Sequence, residues 1–220
     1  MFTGNSLRKI LSFRGALGGA GAATLAMLAV SGVPASAATK APLPMPSIVE
    51  HSCMVCHGGM GHNTIYPIVP RLAGQQVQYL EWQLKQFHKH TRADQNGQIY
   101  MWPVAQSLTP AEITTLAKYY SSQTPMHNET GARPEAAAGE KIFMNGIGAN
   151  VPACMACHGP TAGGIGTFPR LAGQRYHYII QQLEYFHAGK RVNPIMQPIA
   201  AALTVPEMHD LAAYLSSLKK

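Results

Sequence analysis

Cys53-Met54-Val55-Cys56-His57 and Cys154-Met155-Ala156-Cys157-His158 are two copies of one pentad, Cys-x-x-Cys-His. The spacing sets two thiols one helical turn apart, able to form thioethers to the two vinyl groups of a single porphyrin. The residue that follows then offers an imidazole to the iron. Each pentad is read as an attachment site for c-type haem, and the pair as two covalently bound haem c groups. They account for all four cysteines of the 220-residue chain, which leaves none for a structural disulfide.

Outward from the pentads, a much longer block repeats. Pro70-Arg71-Leu72-Ala73-Gly74-Gln75 returns as Pro169-Arg170-Leu171-Ala172-Gly173-Gln174. Tyr79-x-x-x-Gln83-Leu84-x-x-Phe87-His88 returns as Tyr178-x-x-x-Gln182-Leu183-x-x-Phe186-His187. Met101-x-Pro103-x-Ala105 returns as Met196-x-Pro198-x-Ala200, and Leu116-Ala117-x-Tyr119 as Leu211-Ala212-x-Tyr214. The offset falls from 101 residues at the cysteines to 99 at the prolines and 95 at the methionines. Short loop insertions account for that drift, so the pattern is a duplicated domain rather than a short-period solenoid.

The first residues read as an export signal. Arg8, Lys9 and Arg14 give a positive start, a Gly/Ala/Leu run extends to about Val33, and Ala35-Ser36-Ala37 offers a small-residue cleavage site. The interrupted, glycine-rich run suits a permanent membrane span poorly, though an uncleaved anchor is the alternative. Removal of residues 1–37 takes away those three basic residues and no acidic one, lowering the formal net charge from +7 to about +4. Such a modest, scattered charge does not point to nucleic acid. Asp and Glu number only 10. Few carboxylate pairs are then lost on acidification, which suits an acidic surrounding, and an ordinary exported protein equally.

Helical periodicity dominates. Val77, Leu80, Leu84 and Phe87 share one face, as do Tyr176, Ile179, Leu183 and Phe186. Thr109-Pro110-Ala111-Glu112 and Thr204-Val205-Pro206-Glu207 read as capping boxes with proline in the first turn. The expected fold is all-α: residues 38–125 and 126–220 form two tandem domains, each built around one haem, after a signal peptide at 1–37. Ala138–Met144 reads as a helix before the second pentad, whereas Pro42–Glu50 is proline-broken and can be helical only late. Domains this short gain stability from a large apolar group in the core.

Each iron takes His57 or His158 from its pentad and needs a sixth ligand or an open position. Met101 and Met196 hold equivalent places, read as loops stiffened by proline two residues on, and a thioether ligand gives the higher potential suited to electron carriage. His88 and His187 are equivalent too; they are read as surface or propionate-contacting residues, with bis-His ligation as the alternative. His51, His62, His90, His127, His177 and His209 lack equivalents and are read as solvated. The Pro70 and Pro169 carbonyls are candidate acceptors for the second N–H of the ligating imidazoles. Arg71 and Arg170 are candidate partners of haem propionates, and Leu72 and Leu171 are expected to pack on the porphyrin. Zinc binding and thiol exchange are the rival uses of Cys-x-x-Cys; zinc wants four converging ligands, and thiol exchange a βαβ setting.

With both pentads completed by Gly58 and Gly159, and with the Pro-Arg-Leu-Ala-Gly-Gln segments, Met101, Met196 and the closing helices, the chain resembles the dihaem cytochrome c4 family over nearly all of its mature length. Ile68–Gln75 and Arg92–Gly97 resemble the acidophilic iron-oxidiser branch of that family. The resemblance implies two class I cytochrome c domains packed face to face, propionates near their interface, and electron transfer between haems. It also implies a periplasmic shuttle with redox proteins as partners: a blue-copper protein (cupredoxin) or a bc-type complex upstream, and a terminal oxidase downstream. Peripheral association with the membrane fits such partners. The chain departs from the pattern before Cys53, which lacks the Gly-x-x-x-Phe of Gly139 to Phe143. The alternatives are a dihaem enzyme of peroxidase type, needing an open iron position, and a haem subunit fixed to a dehydrogenase or oxidase.

Overall fold

Two sets of helices, each wrapped on its own apolar core, make up a computed structural model in which residues 41–63, 65–126 and 133–219 are described. The expected signal segment, residues 1–37, lies outside the described residues, as do residues 127–132 at the expected domain boundary. The described residues contain no sheet, only isolated bridges pairing Ile147 with Val151 and Ile165 with Phe168. No helix among them is long and apolar enough to cross a membrane.

In the first half, a π-helical turn Val49–Cys53 runs into the one-turn helix α1 (Met54–His57). Helix α2 (Val77–His88) follows, then a second π-helical turn Gly97–Met101 leading into α3 (Trp102–Ala105), and then α4 (Pro110–Ser122). The second half has α5 (Ala136–Asn145), the one-turn α6 (Met155–His158), α7 (Tyr176–His187), α8 (Met196–Ala201) and α9 (Val205–Ser217). Helix α4 starts on a complete capping box, with the Thr109 hydroxyl accepting from the Glu112 N–H and the Glu112 carboxylate accepting from the Thr109 N–H. Thr204 and Glu207 do the same for α9. Each box satisfies donors that a helix start leaves without intrahelical partners.

The halves differ where their sequences differ. Helix α5 crosses α9 so closely that a Cβ on Gly139 would stand 1.9 Å from the Asp210 carbonyl oxygen. Phe143, fully buried one turn later, packs its ring 5.5 Å from that of Tyr214. Among the described residues, the first half has no counterpart of this crossing. Its opening residues 41–46 are not helical, and the chain is tied to the end of α4 by the Leu43 N–H on Ser122 Oγ at 2.9 Å. Prolines at 42, 44 and 46 remove the donors a helix would need there.

Candidate haem sites

Each pentad ends a helical segment, Met54–His57 closing the stretch that starts with Val49–Cys53 and Met155–His158 forming a single turn. Gly58 and Gly159 follow the histidines with φ of +76° and +79°, a region costly for any residue with a Cβ. The chain therefore reverses directly after His57 and His158, and both rings are buried. A second tie brings the later segment back. The N–H groups of Leu72 and Ala73 both reach the Gly61 carbonyl, at 2.7 and 3.2 Å. Leu171 and Ala172 reach the Ala162 carbonyl in the same way, at 2.8 and 3.0 Å. This fold-back places the Pro70 carbonyl 3.0 Å from His57 Nδ1 and the Pro169 carbonyl 2.9 Å from His158 Nδ1. A carbonyl can only accept, so Nδ1 carries the proton and Nε2 is left with its lone pair for a metal.

Burial lowers the pKa of both imidazoles, against a smaller opposing effect of the proline carbonyls, which favours the neutral ring a metal requires. Burial also pushes the Cys53 thiol up, with the Tyr120 hydroxyl beside it acting the other way, and pushes the Cys154 thiol up to about 11. Thiols held protonated are poor exchange nucleophiles, which weighs against thiol–disulfide chemistry. No group of three or more His, Cys, Asp or Glu suited to a metal ion occurs among the described residues, so the zinc reading has no site there.

The two cores gather the expected residues separately. Cys53, Leu72 and Met101 pack against the first core, around Leu80, Phe87 and Leu116. Cys154, Leu171 and Met196 pack against the second, around Ile179, Phe186 and Leu211. The methionines are not in loops. Met101 closes the second π-helical turn and caps α3, while Met196 is the first residue of α8. Pro103 and Pro198 fall in the first turns of those helices, where a missing N–H costs nothing.

His88 and His187 turn out to serve these helices. Each donates from Nδ1 to a carbonyl at 2.9 Å, Ala105 for His88 and Ala200 for His187, four residues beyond the equivalent methionine. They tether the methionine-bearing segments to α2 and α7. Among the unrepeated histidines, His51 contacts the Ser47 carbonyl at 2.7 Å, His62 the Thr124 carbonyl at 2.9 Å, His209 lies 2.8 Å from the Tyr176 hydroxyl, His90 stacks on Trp102 and His177 meets Tyr176 edge-on, so these five are partnered rather than simply solvated.

The equivalent arginines end differently. Arg71 crosses to the other half, with Nη1 donating to the Gly173 carbonyl at 2.7 Å and Nε to the His62 carbonyl at 3.1 Å. Arg170 keeps a buried Nη2 without a hydrogen-bond partner. An orphaned guanidinium donor beside a core of this kind fits an anionic group such as a haem propionate. Pentad thiols, neutral imidazoles, core methionines and this donor are all suited to haem c.

Of the residues at the contact between the halves, Tyr79, Gln83 and Gln182 were legible as repeats, Arg92 and Asp94 only within the segment that resembles the acidophilic branch, and Arg191 not at all. Gln83 and Gln182, on α2 and α7, each accept from both Arg92 and Arg191. Arg191 also donates to the Tyr79 hydroxyl at 3.0 Å, and Asp94 pairs with Arg92 at 2.7 Å. Burial opposes the Arg92 charge, but the negative charge of Tyr178 and Tyr79 once ionised at high pH, together with the Asp94 carboxylate that hydrogen-bonds it, outweighs burial and raises its pKa.

Comparison with known proteins agrees with this geometry. The cytochrome c family profile matches residues 46–124 and 136–219, one match per half. Cytochrome c-552 of Acidithiobacillus ferridurans is 55% identical over 195 residues, spanning 88% of this chain and 85% of that protein. A thiosulfate dehydrogenase electron acceptor of Thiomonas intermedia is 36% identical over 175 residues, 76% of this chain and 78% of that protein. The solved structure of cytochrome c4 from Acidithiobacillus ferrooxidans superposes with a TM-score of 0.72 at 58% identity, covering 76% of this chain and 98% of that one. With two pentads, two helical cores and these relatives, the chain belongs to the cytochrome c4 family: it is a dihaem electron carrier with two covalently attached haem c groups.

Proposed function

We propose that the protein carries single electrons in the periplasm, from a blue-copper protein or bc-type complex to a terminal oxidase. Residues 1–37 act as the export signal, 38–125 as the first haem domain and 126–220 as the second. Cys53 and Cys56 attach one haem and Cys154 and Cys157 the other. His57 with Met101, and His158 with Met196, are the iron ligands. The bound haem supplies a one-electron iron couple. The protein's part is to set its ligands: buried neutral imidazoles oriented by the Pro70 and Pro169 carbonyls, and thioethers held by the tethers from His88 and His187.

The observation that carries this reading is the placing of one cysteine, one leucine and one equivalent methionine against each core. With Met101 and Met196 as sixth ligands, neither iron would keep the open position that peroxidase chemistry needs. A second reading has support of its own, since an acceptor of thiosulfate dehydrogenase is among the relatives. In that case a dehydrogenase is the donor, and the ligand set is unchanged.

Stopped-flow mixing of the oxidised holoprotein with a reduced blue-copper protein, then with oxidase-bearing membranes, tests the proposal. Full reduction of both haems followed by full reoxidation, without peroxide turnover, is expected. Rapid peroxide consumption, or reduction only by a thiosulfate dehydrogenase, moves the assignment to the corresponding alternative.

A further inference from the structure

One peptide group in each half joins the haem ligand to the opposite half. The Pro70 carbonyl that accepts from His57 Nδ1 at 3.0 Å belongs to the same peptide unit as the Arg71 N–H. That N–H donates at 2.8 Å to Oε1 of Gln174, a residue of the second half. The mirror arrangement is complete. The Pro169 carbonyl accepts from His158 Nδ1 at 2.9 Å, and the Arg170 N–H of the same peptide donates at 2.6 Å to Oε1 of Gln75 in the first half. Each glutamine also returns a bond, with Gln174 Nε2 donating to the Arg71 carbonyl and Gln75 Nε2 to the Arg170 carbonyl, both at 2.9 Å. Both side chains are buried, and each Oε1 is further fixed by the N–H of the following residue, Arg175 or Gln76, at 2.9 Å.

We infer that Gln75 and Gln174 are positioning residues acting in trans, each setting the donor strength of the haem-ligating histidine of the other half. The inference rests on the ligand assignment above. Its physical basis is the polarisability of a peptide. An N–H that donates draws electron density through the C–N bond and makes its own carbonyl a better acceptor. A better acceptor on Nδ1–H gives the imidazole more anionic character and a more basic Nε2. A more basic ligand favours ferric over ferrous iron, so each relay lowers the potential of the haem it serves. Since both relays exist only while the halves are in contact, any loosening of that contact raises both potentials together.

The direction of the effect distinguishes the relay from ordinary packing. In the purified dihaem protein, Q174M keeps the side-chain volume but removes the acceptor. Proton NMR of the reduced form should show the Nδ1–H resonance of His57 shifted and that of His158 in place, and a redox titration should show the potential of the first-half haem raised. Q75M should give the converse, shifting His158 and the second-half haem. Q174E offers a stronger acceptor oxygen and should move the His57 Nδ1–H resonance downfield and lower the first-half potential, so it decides the matter alone if the methionine variant fails to mature. Changes confined to the haem in the same half as the substitution, equal changes at both, or none at either, overturn the inference. A colourless wild-type protein would instead sink the haem-ligand reading on which it rests.

Discussion

Arg170 and Arg71 occupy equivalent positions in the repeat, yet only Arg170 keeps a buried donor without a partner. Burial lowers its pKa, as expected for a cation without a counter-charge. If a propionate of the second-half haem is that missing partner, Arg170→Met removes a positive charge close to the iron. The oxidised form then gains on the order of 1 kcal/mol at an effective dielectric of about 20. The second-half potential should fall and the first-half potential hold, as read by spectroelectrochemistry. An unchanged second-half potential would place the propionate elsewhere. At this scale, the residues legible in the sequence were those whose chemistry is local or repeated. The pentads follow from spacing, and the paired methionines and proline carbonyls were singled out by their repetition, the carbonyls then lying on His57 and His158. Gln75 and Gln174 were visible as repeated letters only, because their partners, Arg170 and Arg71, lie in the opposite copy. No local pattern encodes that distance.

Helices α5 and α9 show how one glycine fixes an element. Alanine has the higher helix propensity by roughly 1 kcal/mol, so Gly139→Ala would stabilise an isolated α5. In the folded chain its Cβ would stand 1.9 Å from the Asp210 carbonyl, and relieving such a clash costs typically 1–3 kcal/mol or more. Packing wins. The second half should unfold at lower denaturant, followed by its haem absorbance, with the first half little affected; an unchanged midpoint would contradict the helix crossing. The periodicity of α2 and α7 and the capping boxes of α4 and α9 could be read in advance because they depend on residues within one or two turns. The placing of Met101 and Met196 could not. A proline two residues after a methionine serves a stiff loop and a helical first turn equally well, and tertiary packing decided for the turn.

At the scale of the whole molecule, the halves are joined by buried hydrogen bonds from Gln83, Gln182, Arg92 and Arg191 and by the peptide relays. Hydrogen bonds of this kind fix register, since a misplaced partner leaves buried donors unsatisfied. That register sets the two ligand systems in reciprocal positions, which suits an electron carrier with two coupled centres. The central claim is that each haem iron is held between a pentad imidazole and the methionine of its own half. Redox titration with optical spectra, on the wild-type holoprotein and on Met101→Ala and Met196→Ala, tests it most directly. The account predicts two one-electron steps and the red-edge absorption of methionine-ligated ferric haem in the wild type. Each single variant should lose about half of that absorption, with one step moved to lower potential. Full retention of the absorption and of both steps in either variant would contradict it.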